Sequence, residues 1–488
     1  MSEKRPNILL IVTDQQRGDC LGVEGHPVLQ TPNIDYIGAS GVRFRRAYSE
    51  CPSCIPARHV LMSGQSPDEV GMIGFYYRDD QSSWAPETTL AESLHETGYE
   101  TRLIGKLHLQ PQRRRYGFDS MELADGVSGT NNDYVDWLRE RGARPHELPG
   151  ARGIGSCSWI GRPDPSGEDQ SYAHWACTRA IEFLKKRDPT VPFFLNLSFF
   201  EPHPPLIAPN YLYDRYDRLD LGTPFIGNWV DPINESTRGL HPEGGEQRLN
   251  LDPLTMHYCR SAYYALINNV DMQIGRVISA LGRTGLENTL IMFVSDHGEM
   301  LGDQHLFGKC EPYEGSARIP FLIRPPGPTS HEEPTDSTEV LDTPVGLQDV
   351  MPTLLDAAGA AIPDSCTGQS LMPFVRGDNP KWRDALHGEH NGYRSYDEGF
   401  HYLVDERWKY IWRSQTGKEH LFDLESDPRE LRDLSESSEC DRWRIRMAKE
   451  LANRPEGFSD GKELFVGKPH RSFVPGKGPE VAWPDVGR

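Results

Sequence analysis

The chain has 488 residues and carries 52 Lys and Arg against 72 Asp and Glu, a formal net charge of −20. This length predicts roughly two to four ordinary domains, or one large domain with an appendage. A surface this acidic repels nucleic acid and anionic lipid, which argues against both as partners, and a 37% hydrophobic share with 10% aromatic residues excludes disorder as the dominant state.

The cysteines and the longest aliphatic run indicate the compartment. The run Ile8–Val12 is far below the ~20 residues that span a bilayer and too short for the apolar part of a signal peptide, so we expect a cytoplasmic protein. Nine cysteines, an odd number scattered from Cys20 to Cys440, indicate free thiols rather than a disulfide framework. Cys51 and Cys54 form one CxxC pair, which leaves a redox or zinc role open.

Short apolar runs alternate with helical patterns along most of the chain. In chain order, we predict strands at 8–12, 99–104, 192–200 and 290–294 and helices at 86–97, 171–186, 256–283 and 345–358. This alternation predicts an α/β fold with a large mixed, mostly parallel sheet flanked by helices. Three predicted strands run into polar clusters that contain Asp14, His203 and Asp296. Because ligands bind outside the carboxyl ends of such strands, we expect these clusters to converge.

The pattern changes after about residue 378. Short alternating runs at 401–404, 409–412 and 419–422 predict a small C-terminal α+β domain with a short antiparallel sheet. We therefore predict a catalytic domain over 1–377, an antiparallel-sheet subdomain over 378–454 and an extended tail over 455–488. The apolar residues Phe465, Phe473 and Trp483 leave two interpretations of the tail open: a loose end, or an arm over the body or over a neighbouring subunit of a homo-oligomer.

The string Cys54-Ile-Pro-Ala-Arg58, which leads into Ser63-Gly64, carries the most information. Cys-x-Pro-x-Arg before a short helix and Ser-Gly resembles the signature of the formylglycine-dependent sulfatases, in the alkaline-phosphatase-like superfamily. Further strings resemble that family in the same order, namely 7–15, 31–35, 104–109, 202–204, 295–299, 301–309, 407–411 and 421–428. The resemblance covers about residues 5–440.

The resemblance implies the hydrolysis of small anionic sulfate esters to inorganic sulfate and an alcohol or phenol. The nucleophile would be a formylglycine that a maturation enzyme makes from Cys54. One divalent metal would lie among Asp14, Cys54, Asp296 and His297. Carboxylate oxygens suit Ca²⁺, our first expectation, or Mg²⁺, whereas the imidazole also admits Mn²⁺ or Zn²⁺. Gln15 stands where the family often has a second aspartate, so its coordination stays open.

The resemblance also implies roles for the remaining site residues. Arg58 and Lys106 would steady the aldehyde hydrate, while Lys309 and His203 would bind the sulfuryl oxygens, one of them protonating the departing alcohol. His108 would then take a proton from the second hydroxyl and so expel sulfate. Independently of the family, Arg58, Lys106 and Lys309 form the local positive patch that an acidic protein needs to admit an anion.

Two other classes of function stay open from the sequence. The strings 200–205 and 362–366 also resemble phosphonate monoester or phosphodiester hydrolases on the same fold. Lys106 and His108 favour a sulfatase, since the phosphonate branch typically lacks this pair. The second class is a catalytically silent binding protein in which Cys54 stays a thiol. For an enzyme, we expect substrate specificity to lie in the irregular stretches 124–167 and 206–250.

Overall fold

The computed structural model describes residues 5–75, 84–129, 131–151, 158–233, 248–328, 339–392 and 398–477. The strands are β1 (Asn7–Asp14), β2 (Val42–Phe44), β3 (Ala47–Tyr48), β4 (Glu100–Gly105), β5 (Ser120–Leu123), β6 (Arg162–Asp164), β7 (Phe193–Pro202), β8 (Ile207–Pro209), β9 (Thr289–Ser295), β10 (Phe321–Arg324), β11 (Glu339–Leu341), β12 (Val345–Gly346), β13 (Leu386–His390), β14 (Phe400–Val404), β15 (Trp408–Arg413) and β16 (Glu419–Asp423). The helices are α1 (Pro32–Ala39), α2 (Cys54–Ser63), α3 (Pro67–Val70), α4 (Leu90–Glu96), α5 (Asp133–Glu140), α6 (Tyr172–Lys186), α7 (Asn210–Asp217), α8 (Pro253–Arg283), α9 (Glu314–Ala317), α10 (Val350–Ala358), α11 (Met372–Val375) and α12 (Ser438–Glu450).

A large sheet forms the centre of the molecule, with the strand order β11-β2-β10-β9-β1-β7-β4-β5. Strands β9, β1, β7, β4 and β5 run parallel to one another, whereas β10 is antiparallel to both β9 and β2. This arrangement confirms the predicted large mixed, mostly parallel sheet. The central strands are apolar along their length because helices cover both faces of the sheet.

The alternation of side chains along β1 shows how the two faces are covered. Ile8, Leu10 and Val12 pack in a core with α2, α4 and α10. Leu9 and Ile11 point the other way, into a core with α1, α6 and α8. Because consecutive residues of a strand face opposite sides, one uninterrupted apolar run serves two cores.

Several predicted boundaries differ from the structure for local reasons. The helix predicted at 86–97 begins at Leu90, because the Thr89 hydroxyl accepts a hydrogen bond from the Glu92 amide (3.2 Å) and caps it. The helix predicted at 345–358 begins at Val350, because Val345–Gly346 pairs with β3 instead. Strand β13 was not predicted, since its sequence Leu-His-Gly-Glu-His is polar although most of it is buried.

The C-terminal sheet is antiparallel in the order β13-β14-β15-β16, and α12 packs on it, which confirms the predicted small second sheet. The described part of the predicted tail, 455–477, lies against the body of this chain. Phe458 is fully buried there, and the Val474 amide donates to the Gly71 carbonyl at 2.9 Å. Trp483 lies outside the described residues, and the domain boundaries stay predictions. Among the described helices, none combines the length and apolar character that crossing a membrane requires.

A stack of buried histidines joins this tail to the C-terminal sheet. The ring of His401 lies parallel to that of His470 (4.9 Å, 2°) and to that of His387 (5.3 Å, 10°). The ligand atoms of Glu389, His401 and His470 lie within 4.8 Å of one another. However, a shared cation would have to lie in the planes of both imidazoles, which two stacked rings do not allow. Arg454 also pairs with Glu389 (2.8 Å), so we interpret the cluster as structural.

Burial of this stack predicts a pH dependence of stability. Burial, together with the neighbouring His470, holds the pKa of His401 well below its ordinary value of 6.5, so the folded state keeps this ring neutral. As the pH falls below 6.5, the unfolded chain takes up a proton that the folded chain does not. This residue therefore contributes stability above that pH, and the contribution is lost on acidification by about 1.4 kcal/mol per pH unit.

Urea unfolding between about pH 6 and pH 5 checks this prediction when wild type is compared with His401→Asn. We expect the free energy of unfolding to fall more steeply in the wild type, by about 1.4 kcal/mol per pH unit. The comparison removes the contributions of Glu389 and of the other histidines, which are common to both proteins. Equal slopes in the two proteins would show that His401 does not carry the effect.

Candidate active site

Polar side chains at the carboxyl ends of four adjacent strands meet in one place. Asp14 ends β1, Lys106 follows β4, His203 follows β7, and Asp296 follows β9. These strands are neighbours in the order β9-β1-β7-β4 and run parallel, so their ends lie at the same edge of the sheet. The convergence expected from the sequence is present.

Cys54 lies at the centre of this cluster, as the first residue of α2. The thiol is 1% exposed, and its Sγ lies 2.7 Å from Lys309 Nζ and 3.2 Å from His297 Nε2. Burial alone would raise the pKa of Cys54, but the ammonium groups of Lys106 and Lys309 outweigh it and hold the pKa well below the usual value. The amino end of a helix also favours negative charge. The surroundings of position 54 therefore stabilise a negatively charged nucleophile.

The same cluster offers a site for a cation. Asp14, Cys54, Asp296 and His297 each provide one potential ligand atom, and these atoms all lie within 4.8 Å of one another. Both carboxylates are fully buried. Although burial opposes ionisation, the ammonium of Lys106 and the nearby Lys309 hold the pKa of Asp14 well below its ordinary value. Two carboxylate oxygens beside one imidazole nitrogen fit a divalent cation.

Arg58 links the strands that carry the site. Its Nε donates to Asp296 Oδ2 (2.8 Å), and its Nη1 donates to the Lys106 carbonyl (2.9 Å) and to Ser198 Oγ (3.0 Å). Its Nη2 lies 3.8 Å from Asp14 Oδ2. Arg58 is one helical turn from Cys54 and faces the same site, as its spacing predicts. In this structure its donors face the two carboxylates, the Lys106 carbonyl and the Ser198 hydroxyl.

The segment after β4 approaches the nucleophile through a glycine. Gly105 has φ +110°, and a Cβ there would lie 1.7 Å from the Ser198 carbonyl oxygen, so only glycine fits. The next side chain, Lys106, is 1% exposed and pairs with Asp14. Two residues further on, the imidazole of His108 lies close enough to the Cys54 thiol to contribute to the lowered pKa of that group.

His203 and Lys309 close the cluster from two sides. His203 Nδ1 donates to the Pro204 carbonyl (2.6 Å), and its imidazole is close enough to Cys54 for that side chain to influence its pKa. Burial and the nearby Lys309 ammonium lower the pKa of His203, so the protonated imidazole gives up its proton readily. Lys309 Nζ also donates to Gln15 Oε1 (3.2 Å), while the Gln15 amide nitrogen donates to Glu299. The amide oxygen of Gln15 thus faces the site.

Every site residue predicted from the sequence belongs to this one cluster. The sequence reasoning missed Ser198, which meets Arg58, and Asp125, which holds the backbone of the Lys106–His108 segment. No motif marks either residue, although Asp125 also lies just beyond a strand end. Of the stretches expected to set specificity, residues 130, 152–157 and 234–247 lie outside the described residues.

Known proteins resemble the chain over nearly its whole length. The family described as Sulfatase matches residues 6–360, and the one described as N-sulphoglucosamine sulphohydrolase, C-terminal, matches residues 302–456. An arylsulfatase of Clostridium perfringens is 40% identical over 95% of this chain and 98% of its own length. A choline-sulfatase of Rhizobium meliloti is 30% identical over 90% of this chain and 84% of its own. The phosphonate monoester hydrolase of Agrobacterium radiobacter superposes with a TM-score of 0.70 and 26% identity, over 92% of this chain and 95% of that protein.

Proposed function

The chain belongs to the sulfatase family, and from this premise we propose that it hydrolyses sulfate esters with a formylglycine made from Cys54, beside one divalent cation. That the protein is a sulfatase follows from the family; the modification and the cation are the proposal. The observation that carries it is the cluster of Cys54, Asp14, Asp296 and His297, whose ligand atoms lie within 4.8 Å of one another. Ca²⁺ is the first choice of cation because two of the donors are carboxylates.

In the first step, a hydroxyl oxygen of the hydrated aldehyde attacks the ester sulfur. The Sγ of Cys54 stands in for that oxygen. Lys309 Nζ lies 2.7 Å from it, and the adjoining positive charges favour its deprotonated form. A cation held by Asp14, Asp296 and His297 would add to that positive charge. The ester oxygen leaves with its bonding electron pair, and His203 or Lys309 gives it a proton.

In the second step, the sulfated hydrate breaks down. His108 takes the proton of the remaining hydroxyl, the carbon–oxygen double bond forms, and the bond from this carbon to the sulfate oxygen breaks. The electron pair leaves on sulfate, and a water molecule rehydrates the aldehyde. The proximity of the His108 imidazole to residue 54, which lowers the pKa of the Cys54 thiol, supports this role. Arg58 and Lys106 hold the carboxylates, and through them the hydrate, in place.

The proposal implies two features of the cellular setting. A formylglycine-generating or maturation enzyme must act on Cys54, and we propose it as a transient partner. We also propose the cytoplasm as the compartment, because all cysteines among the described residues are free thiols.

A phosphonate monoester or phosphodiester hydrolase is the second candidate, favoured by the likeness to a phosphonate monoester hydrolase at 26% identity. A parallel turnover assay with an aryl sulfate, a carbohydrate sulfate, choline sulfate and phenyl phosphonate separates the two. We expect the highest kcat/KM on a sulfate ester, since Lys106 and His108 are both present at the site. A preference for the phosphonate would replace the proposed reaction.

Replacing Lys309 with alanine tests the anion-binding patch. We expect kcat/KM for sulfate esters to fall by about 100-fold, because one charged donor to the developing negative oxygens is lost. Steady-state kinetics measure the effect, and the metal content should stay unchanged because Lys309 is not in the proposed ligand set. The exposed Lys462→Ala is the matched control. Equal kinetics of the two variants would remove Lys309 from the mechanism.

A further inference from the structure

The turn that carries Lys106 and His108 is tied to one carboxylate. Asp125 Oδ1 accepts hydrogen bonds from the Leu107 amide (2.9 Å) and the His108 amide (2.8 Å). Asp125 follows the end of β5, and the neighbouring Ala124 amide donates to the Gly105 carbonyl (3.0 Å). The carboxylate is therefore presented from a strand end that is itself fastened to the strand that leads into the turn.

His108 needs such an anchor because its backbone is strained. Its φ of +57° lies in the left-handed region, which a residue with a Cβ rarely adopts. Two amides that point at one oxygen hold the chain in this conformation, which directs the imidazole to Cys54. Without the carboxylate, the turn can relax to ordinary φ values and the ring leaves the nucleophile.

Lys106 depends much less on Asp125. The Lys106 amide donates to the Ser198 carbonyl (3.0 Å), and its own carbonyl accepts from Arg58 (2.9 Å). Its ammonium is further held by Asp14. A loss of the Asp125 carboxylate should thus displace His108 and leave Lys106 in place.

We propose that Asp125 is a positioning residue that holds His108 for the second step of the reaction. This inference rests on the proposed function, in which His108 accepts the proton that allows sulfate to leave. The first step uses residue 54, Lys309 and His203, none of which Asp125 contacts through the hydrogen bonds described above. Removing Asp125 should therefore slow the release of sulfate far more than the release of the phenol.

The test compares Asp125→Ala with Asp125→Asn, whose amide oxygen still accepts from both backbone amides. With an aryl sulfate, we expect kcat of the alanine variant to fall by about 10–100-fold, as for loss of other supporting contacts. The first turnover should still release one phenol per enzyme as a burst. Mass spectrometry of the quenched enzyme should then find the peptide of residue 54 carrying an added SO₃ group. Asp125→Asn should stay within about threefold of wild type, because it restores the oxygen acceptor.

Controls keep the outcomes separate. Asp136→Ala, which removes an exposed carboxylate paired with Arg139, should leave the kinetics unchanged. If the alanine variant does not fold, Asp125→Glu gives the same test, since it keeps the charge and shifts the oxygen by one methylene. A slow variant without sulfated enzyme, an unchanged kcat, or an asparagine variant as impaired as alanine would overturn the positioning role. An unmodified Cys54 in active wild type would instead refute the proposed function.

Discussion

Replacing Cys54 with alanine is expected to lower kcat/KM for sulfate esters by about ten-thousand-fold or more, as when other covalent nucleophiles are removed. The structure gives the reason: the ammonium groups of Lys106 and Lys309 favour a negative charge at position 54, and Lys309 Nζ lies 2.7 Å from its Sγ. No attacking oxygen can form on an alanine side chain. Turnover of an aryl sulfate at saturating and limiting concentrations measures the loss.

Cys51→Ala is the matched control, because Cys51 is also 1% exposed and lies only three residues earlier. Burial raises the pKa of Cys51 well above its ordinary value, the opposite of Cys54, so it is an inert thiol. We expect Cys51→Ala to keep activity within a few-fold of wild type. If Cys54→Ala kept comparable activity while remaining folded, residue 54 could not be the nucleophile.

Chelation of the proposed divalent cation is expected to abolish turnover, and adding the cation back should restore it. Asp14 and Asp296 are fully buried, and the proposed ligand set brings two negative charges to one point beside residue 54. A cation there would supply positive charge that Lys106 and Arg58 do not replace, because both already pair with these carboxylates. Elemental analysis of the protein before and after chelation, alongside the activity, measures both quantities.

Asp14→Asn should weaken the binding of the cation and lower kcat/KM by about 100-fold or more. The matched control is Asp35→Asn, since the Asp35 carboxylate is also hydrogen-bonded, to the Val23 amide (2.9 Å) and the Thr31 hydroxyl (2.8 Å), but lies outside the site. Only the first variant should lose metal. Full activity in protein shown to be free of metal would remove Asp14 and Asp296 from the proposed site.

The central fold and site were predictable because their signals are local. Uninterrupted apolar runs mark strands buried on both faces, and the parallel order of such strands brings their carboxyl ends together. Asp14, His203 and Asp296 could therefore be placed near one another before the strand order was known. The spacing of one helical turn puts Cys54 and Arg58 on one face, and the resemblance to the sulfatases assigned both of them to the site.

The remaining features depend on contacts between distant parts of the chain. Strand β13 looks like a loop because His387 and Glu389 are polar, and its burial depends on Arg454 and the stacked histidines. Asp125 lies 17 residues from His108, and nothing in the intervening sequence shows that its carboxylate meets that backbone. Similarly, the sequence does not reveal that Gln15 directs its amide oxygen to Lys309.

The mass of residue 54 in catalytically active protein tests the central claim most directly. We expect the peptide that contains this position to show the aldehyde, in which oxygen has replaced sulfur and two hydrogens are lost, in an amount that follows the specific activity of the preparation. A fully active preparation whose residue 54 is an unaltered thiol would contradict the account.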